Sequence, residues 1–304
     1  MQMLQLLNLQ LTLFLLVGVG FLIKKIGLVN DQGQSSINTL VLYVVLPCNI
    51  VKSFMVELQS GMVRDLTSMM LLSVIVQIIF VVYGKILFRK QPAGKKACLQ
   101  YGTICSNAGF LGNPVAEGVF GGYGLVLASV FLIPMRIMMW SEGLAAFSGT
   151  TDRKATLKKV CTHPCILACV LGIVLMFTGY RFPSSITTAI NSLGNCNTAL
   201  SMMVIGMILS NMNPKEFIDK DVLLYSLHRL IILPLLILLV CMVLPLTKTV
   251  LGVCVLLSAM PAGATTSILA SRYKMEPEFA TKMVIVSTLL SLPTICLWSI
   301  FLTM

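Results

Sequence analysis

Residues 105–114 read Cys-Ser-Asn-Ala-Gly-Phe-Leu-Gly-Asn-Pro and lie inside an apolar run long enough to cross a bilayer. Hydrocarbon offers no partner for backbone amides and carbonyls. A segment that cannot stay helical survives there only where protein buries it or where it lines a polar cavity. A second interruption, Met260-Pro261-Ala262-Gly263-Ala264-Thr265-Thr266, follows about half a chain later, with Pro114 and Pro261 147 residues apart. Paired interruptions in corresponding halves point to a binding site built from broken membrane helices.

The rest of the chain supports a membrane reading. Of 304 residues, 57% are hydrophobic and 11% charged, and the mean hydropathy is +0.93. At roughly 20 residues per span there is room for about ten helices and no extramembrane domain. The expected spans are 4–23, 35–55, 66–88, 95–122, 124–146, 163–180, 184–210, 221–246, 249–271 and 278–303. The first apolar run has no basic segment before it and is followed by Lys24 and Lys25, so it reads as a span rather than a cleaved signal. Counting Lys and Arg in alternate loops gives fifteen on one side. Four fall on the other: Lys52, Arg64, Arg181 and Lys248. The rich side is expected in the cytoplasm of a plasma-membrane protein, with both termini outside. The net charge of +11 therefore signals orientation and not nucleic acid. Five spans per half give an inverted repeat: one unit over 1–149, a basic linker over 150–160, and a second unit over 161–304. The fold class is all-α membrane protein, with two inverted five-helix repeats whose fourth and ninth helices are broken and cross.

At the first break, Pro114 removes an amide, while Gly109 and Gly112 ease unwinding and close approach. Asn107 and Asn113 each bring an acceptor and a donor. At the second, Pro261, Gly263, Thr265, Thr266 and Ser267 repeat the composition without an asparagine. Half-helix N-termini meeting there suit an anion, and unwound carbonyls suit a cation. Pro47 and Asn49 interrupt the second span near its outer end, and the polar run Gly194-Asn195-Cys196-Asn197-Thr198 matches them in the seventh. Arg136 and Arg229 are intramembrane cations and functional candidates by default. Trp140, one turn past Arg136, offers a cation–π partner, and Glu142 a basic-group partner. His228 reads as a helix-packing hydrogen bond before a proton relay. Lys52 and Lys282, near helix ends, read as snorkelling. Cys161, Cys165 and Cys169 recur at helical spacing near His163; core- or lipid-facing sulfur explains them better than a metal site. Enzyme motifs are absent, and nothing calls for a cofactor.

The run 106–114 resembles the fourth-helix motif of the auxin efflux carrier family in its short prokaryotic form, within the bile acid/auxin/arsenite transporter superfamily. Leu46-Pro47, His163-Pro164, Gly172, Gly206, Met260-Pro261-Ala262 and Ser287-Thr288-Leu289-Leu290-Ser291-Leu292 extend the resemblance along nearly the whole chain. It implies crossed, proline-broken helices and alternating access. It also implies organic-anion substrates: dicarboxylates such as malonate or malate in bacteria, auxin in plants. Two departures stand out: Ala199 where relatives often have proline, and Asn113 where they often have a small aliphatic residue. The expected function is secondary transport of a small mono- or dicarboxylate across the lipid bilayer. The expected substrate-binding residues are Asn107, Gly109, Gly112, Asn113, Pro114, Pro47, Asn49, Pro261, Gly263, Thr265, Thr266 and Arg136. Coupling to protons or sodium and a homodimeric state are compatible with this reading. The alternative is a non-transporting membrane sensor or assembly partner on the same fold.

Overall fold

The computed structural model describes residues 2–55, 61–148, 162–210 and 219–303. The basic linker 150–160 and Cys161 lie outside the described residues, as do the side chains of Trp140 and Glu142. The helices are α1 (Gln2–Lys25), α2 (Asp31–Phe54), α3 (Met62–Leu87), α4 (Ala93–Ile104) and α5 (Ala108–Met138). The last continues through Met139–Gly143 and Leu144–Ser148. After the linker come α6 (Pro164–Thr178), α7 (Ser184–Ser210), α8 (Lys220–Met242), α9 (Lys248–Ser258), α10 (Thr265–Tyr273) and α11 (Pro277–Thr303). Among the described residues, six of them, α2, α3, α5, α7, α8 and α11, are long and apolar enough to cross a membrane.

Several expectations change at the level of single residues. The boundary expected between spans 95–122 and 124–146 falls at Gly121. Its φ of 69° and ψ of −167° break the helical path inside α5, a conformation open to glycine and strained for a side chain. Pro47 does not break its helix, contrary to expectation. A wide π-turn over Val41–Val45 precedes it and absorbs the missing amide while α2 runs on to Phe54. Leu42 O, in that turn, faces the Cys165 thiol at 3.8 Å. Pro234 has the same effect in α8, where His228–Ile232 form a π-turn. Pro234 cannot donate to Leu230 O, four residues back, and that carbonyl instead accepts the Trp298 indole N–H at 2.9 Å.

Packing in lipid depends on close backbone approach rather than on a hydrophobic drive. The pair α1 and α7 shows this most clearly. A Cβ on Gly206 would lie 2.0 Å from Val17 O, and one on Gly20 would lie 2.1 Å from Met203 O. Two apolar clusters result. The larger is built on α2, α3, α5, α6 and α9 and takes in Cys165 and Cys169, both fully buried. The smaller gathers α4, α8, α10 and the first half of α11. The cysteine stripe is therefore core-facing where it is described. Among the described residues, no group of three or more His, Cys, Asp or Glu is placed to hold a metal ion.

Candidate functional site: the crossing of two broken helices

The two interruptions meet. Cys105 leaves α4 in an extended conformation, and Ser106 forms an antiparallel bridge with Ala262. Asn107 N–H donates to Pro261 O at 2.8 Å, and Gly263 N–H donates to Cys105 O at 2.9 Å. Ala262 N–H reaches Ser287 Oγ at 3.3 Å. Each unwound segment thus satisfies the other's backbone, which is what hydrocarbon surroundings demand. Gly263 is needed for this contact: its Cβ would sit 3.0 Å from Cys105 O and 3.3 Å from Ser106 O.

Past the bridge both chains turn helical again. Asn107 O accepts from Leu111 N–H at 2.9 Å, opening the π-turn Ala108–Gly112, and regular helix resumes with Asn113 and Pro114 in its first turn. On the other strand α10 starts at Thr265. The first amides of a helix have no intrahelical acceptor, so the starts of α5 and α10 both place partial positive charge at the crossing.

Arg136 adds a full charge. It is 4% exposed, and its Nη1 has no hydrogen-bond partner within the protein. Its Nη2 lies 3.9 Å from where a Cβ on Gly109 would be, against the first turn of α5. Its neighbour Met135 accepts from Ser106 Oγ at 3.5 Å. A permanent cation, free helical amides and a glycine that leaves room are together a pole whose chemistry suits a carboxylate.

Asn113 is fully buried, and neither atom of its amide has a partner within the protein; the same holds for Thr265 Oγ1 and Thr266 Oγ1. An unsatisfied buried amide costs about 1–3 kcal/mol. Asn113→Leu is therefore expected to raise the melting temperature of the ligand-free protein. Calorimetry that finds it unchanged or lowered would mean the amide is already satisfied.

Asn49 comes near the crossing through a polar seam on the unbroken α2, two residues past the half-buried Pro47. Asn49 Nδ2 donates to Gly194 O at 3.2 Å and to Glu117 Oε2 at 3.4 Å. Asn197 Nδ2 donates to Asn49 Oδ1 at 3.4 Å, and Ser201 Oγ to Asn197 Oδ1 at 3.2 Å. Lys52 joins Glu117 at 3.5 Å and Asn195 Oδ1 at 2.8 Å, so it is partnered within the protein rather than snorkelling. Glu117 stands one turn past Asn113 and ties the α5 half-helix to α2 and α7. It was not among the expected site residues. Its signal was available: a lone carboxylate inside a span, at i+4 from a polar residue. His228 makes the expected packing hydrogen bond, through Nδ1 to the Tyr83 hydroxyl.

Comparison with known proteins gives the family. A family model described as membrane transport protein matches residues 6–299. An uncharacterized transporter of Methanothermobacter thermautotrophicus is 29% identical over 96% of this chain and 97% of its own length. One from Methanocaldococcus jannaschii is 26% identical over 95% and 96%. A putative malonate transporter of Rhizobium meliloti is 22% identical over 95% and 93%. With a match over almost its whole length and two broken helices crossing in its interior, the chain belongs to the membrane transport protein family, the auxin efflux carriers, and is a multi-pass membrane transporter rather than an enzyme.

Proposed function

We propose that this protein is a secondary transporter of a small organic anion, a mono- or dicarboxylate, working by alternating access. The observation that carries the proposal is Arg136, buried, with Nη1 unpartnered within the protein and its guanidinium against the first turn of α5 at the crossing. A carboxylate there satisfies the guanidinium and the helix start together. Asn107 and Asn113 on α5 and Thr265 and Thr266 on α10 supply neutral polar groups around it. The putative malonate transporter among the relatives supports the same substrate class.

Ten spans arranged as two inverted units, 1–149 and 161–304, complete the reading. The opposed starts of α5 and α10 at one bridge suit such a repeat. The Glu117 seam links the moving half-helix to α2 and α7. The basic loops lie in the cytoplasm, and a proton or sodium ion drives the cycle. The test is uptake by proteoliposomes of radiolabelled acetate, malonate and malate, with imposed proton or sodium gradients. Concentrative uptake of at least one acid is expected. Uptake no faster than protein-free vesicles, for every acid and gradient, would defeat the proposal.

A further inference from the structure

Arg229 is 1% exposed, and all three of its guanidinium nitrogens lack a hydrogen-bond partner within the protein. The π-turn of α8 over His228–Ile232 carries it inward, with its guanidinium carbon 4.8 Å from the centre of the Phe80 ring. Arginine does not give up its proton in proteins, so a full charge is buried here. A cation–π contact returns less than burial of an unpaired ion costs. Among the described residues, no carboxylate forms an ion pair with it.

Beside it stands one buried hydroxyl donor, Tyr225, and a second, Tyr101, lies past Cys105. Tyr225, one turn earlier in α8, and Cys105, at the edge of the crossing, are its near neighbours. The Tyr225 hydroxyl is buried with no partner within the protein. Tyr101 stands beside Cys105 and Thr265. Gly102 lets α8 come close, since its Cβ would lie 2.8 Å from Tyr225 Oη. Arg136 is absent from this group; it belongs to the start of α5, on the other broken helix.

We propose that Arg229 and Tyr225, with Tyr101 beside Cys105, bind a small monovalent anion, at a site separate from the Arg136 pole. One permanent positive charge and neutral O–H donors are balanced by a single negative charge. A divalent oxyanion would leave one charge buried and unpaired. A halide and a small carboxylate share the required chemistry. The inference does not depend on the carboxylate reading of the Arg136 pole.

The experiment is thermal unfolding of the detergent-purified full chain in sodium gluconate, an anion too bulky for a buried site. Gluconate is replaced stepwise by chloride, bromide or formate at constant sodium and ionic strength. A saturable rise in melting temperature on the order of 5 °C is expected. A response to chloride and bromide identifies an inorganic anion as the ligand; one confined to formate identifies a carboxylate. Arg229→Gln should abolish the rise, Tyr225→Phe and Tyr101→Phe should each reduce it, and Arg136→Gln should leave the chloride and bromide response intact. The proposal is overturned by a flat response to all three anions, or by a rise that survives Arg229→Gln. A rise lost in Arg136→Gln but unchanged in both tyrosine variants also overturns it, and assigns the effect to the Arg136 pole. Should Arg229→Gln fail to fold, the two tyrosine variants decide by the same criterion.

Discussion

Arg136→Gln is expected to weaken carboxylate binding about 30- to 1000-fold while leaving the ligand-free protein folded. Truncating one partner of a buried, hydrogen-bonded charge pair costs about 2–4 kcal/mol, and each 1.4 kcal/mol is tenfold in affinity. Folding should survive because Arg136 Nη1 has no partner within the protein, so glutamine removes a buried charge and gives up only a weak contact with the Cys165 thiol. Arg136→Lys is the informative companion. It keeps the charge and loses the planar fork that can grip both carboxylate oxygens, and an intermediate loss is expected. Isothermal titration with the best-transported acid measures all three proteins. Equal affinity in wild type and Arg136→Gln would remove Arg136 from the site and leave the helix starts and asparagines to bind substrate alone.

Some of this site was legible in the sequence because its requirements are local. Proline, glycine and asparagine at 107–114, and proline and glycine at 261–263, are residue types that unwinding in a membrane needs, whatever surrounds them. The pairing of Ser106 with Ala262 is a long-range contact, and matched position in the two halves was its only trace. The roles of the two buried arginines were not separable in sequence. Both lie mid-span, and only tertiary contact sets Arg136 against Gly109 and Arg229 among Tyr225, Cys105 and Phe80. Tyr101 and Tyr225 gave no signal, since aromatic residues in spans usually pack. Lys52 was misread for a related reason: position near a helix end fits snorkelling, and its partners Glu117 and Asn195 are 65 and 143 residues away. Pro47 shows the reverse error. Its chemistry was read correctly, but a π-turn is a second answer to a missing amide, and residue type alone does not choose between a break and a bulge.

Gly206→Ala is expected to remove most of the folded protein, a larger effect than a single added methyl group usually has. Overpacking a core generally costs about 1–3 kcal/mol because side chains can move aside. Here the added Cβ would meet Val17 O at 2.0 Å, Phe21 N at 2.7 Å and Val17 C at 2.9 Å, and backbone cannot change rotamer. Relief requires α1 and α7 to separate. That separation would also pull Gly20 off Met203, the second close approach in the same pair, so the loss spreads along both helices. Against a total stability of roughly 5–15 kcal/mol, such a change leaves little folded material. Gly18→Ala is the matched control: it makes the same chemical change on α1, where a Cβ would meet nothing within 4 Å. Size-exclusion profiles and melting curves of the two variants should therefore diverge sharply, with Gly18→Ala close to wild type. Similar behaviour of the two would show that the α1–α7 contact tolerates spreading. In that case the close glycine crossing would set the spacing of these helices without being required for the fold.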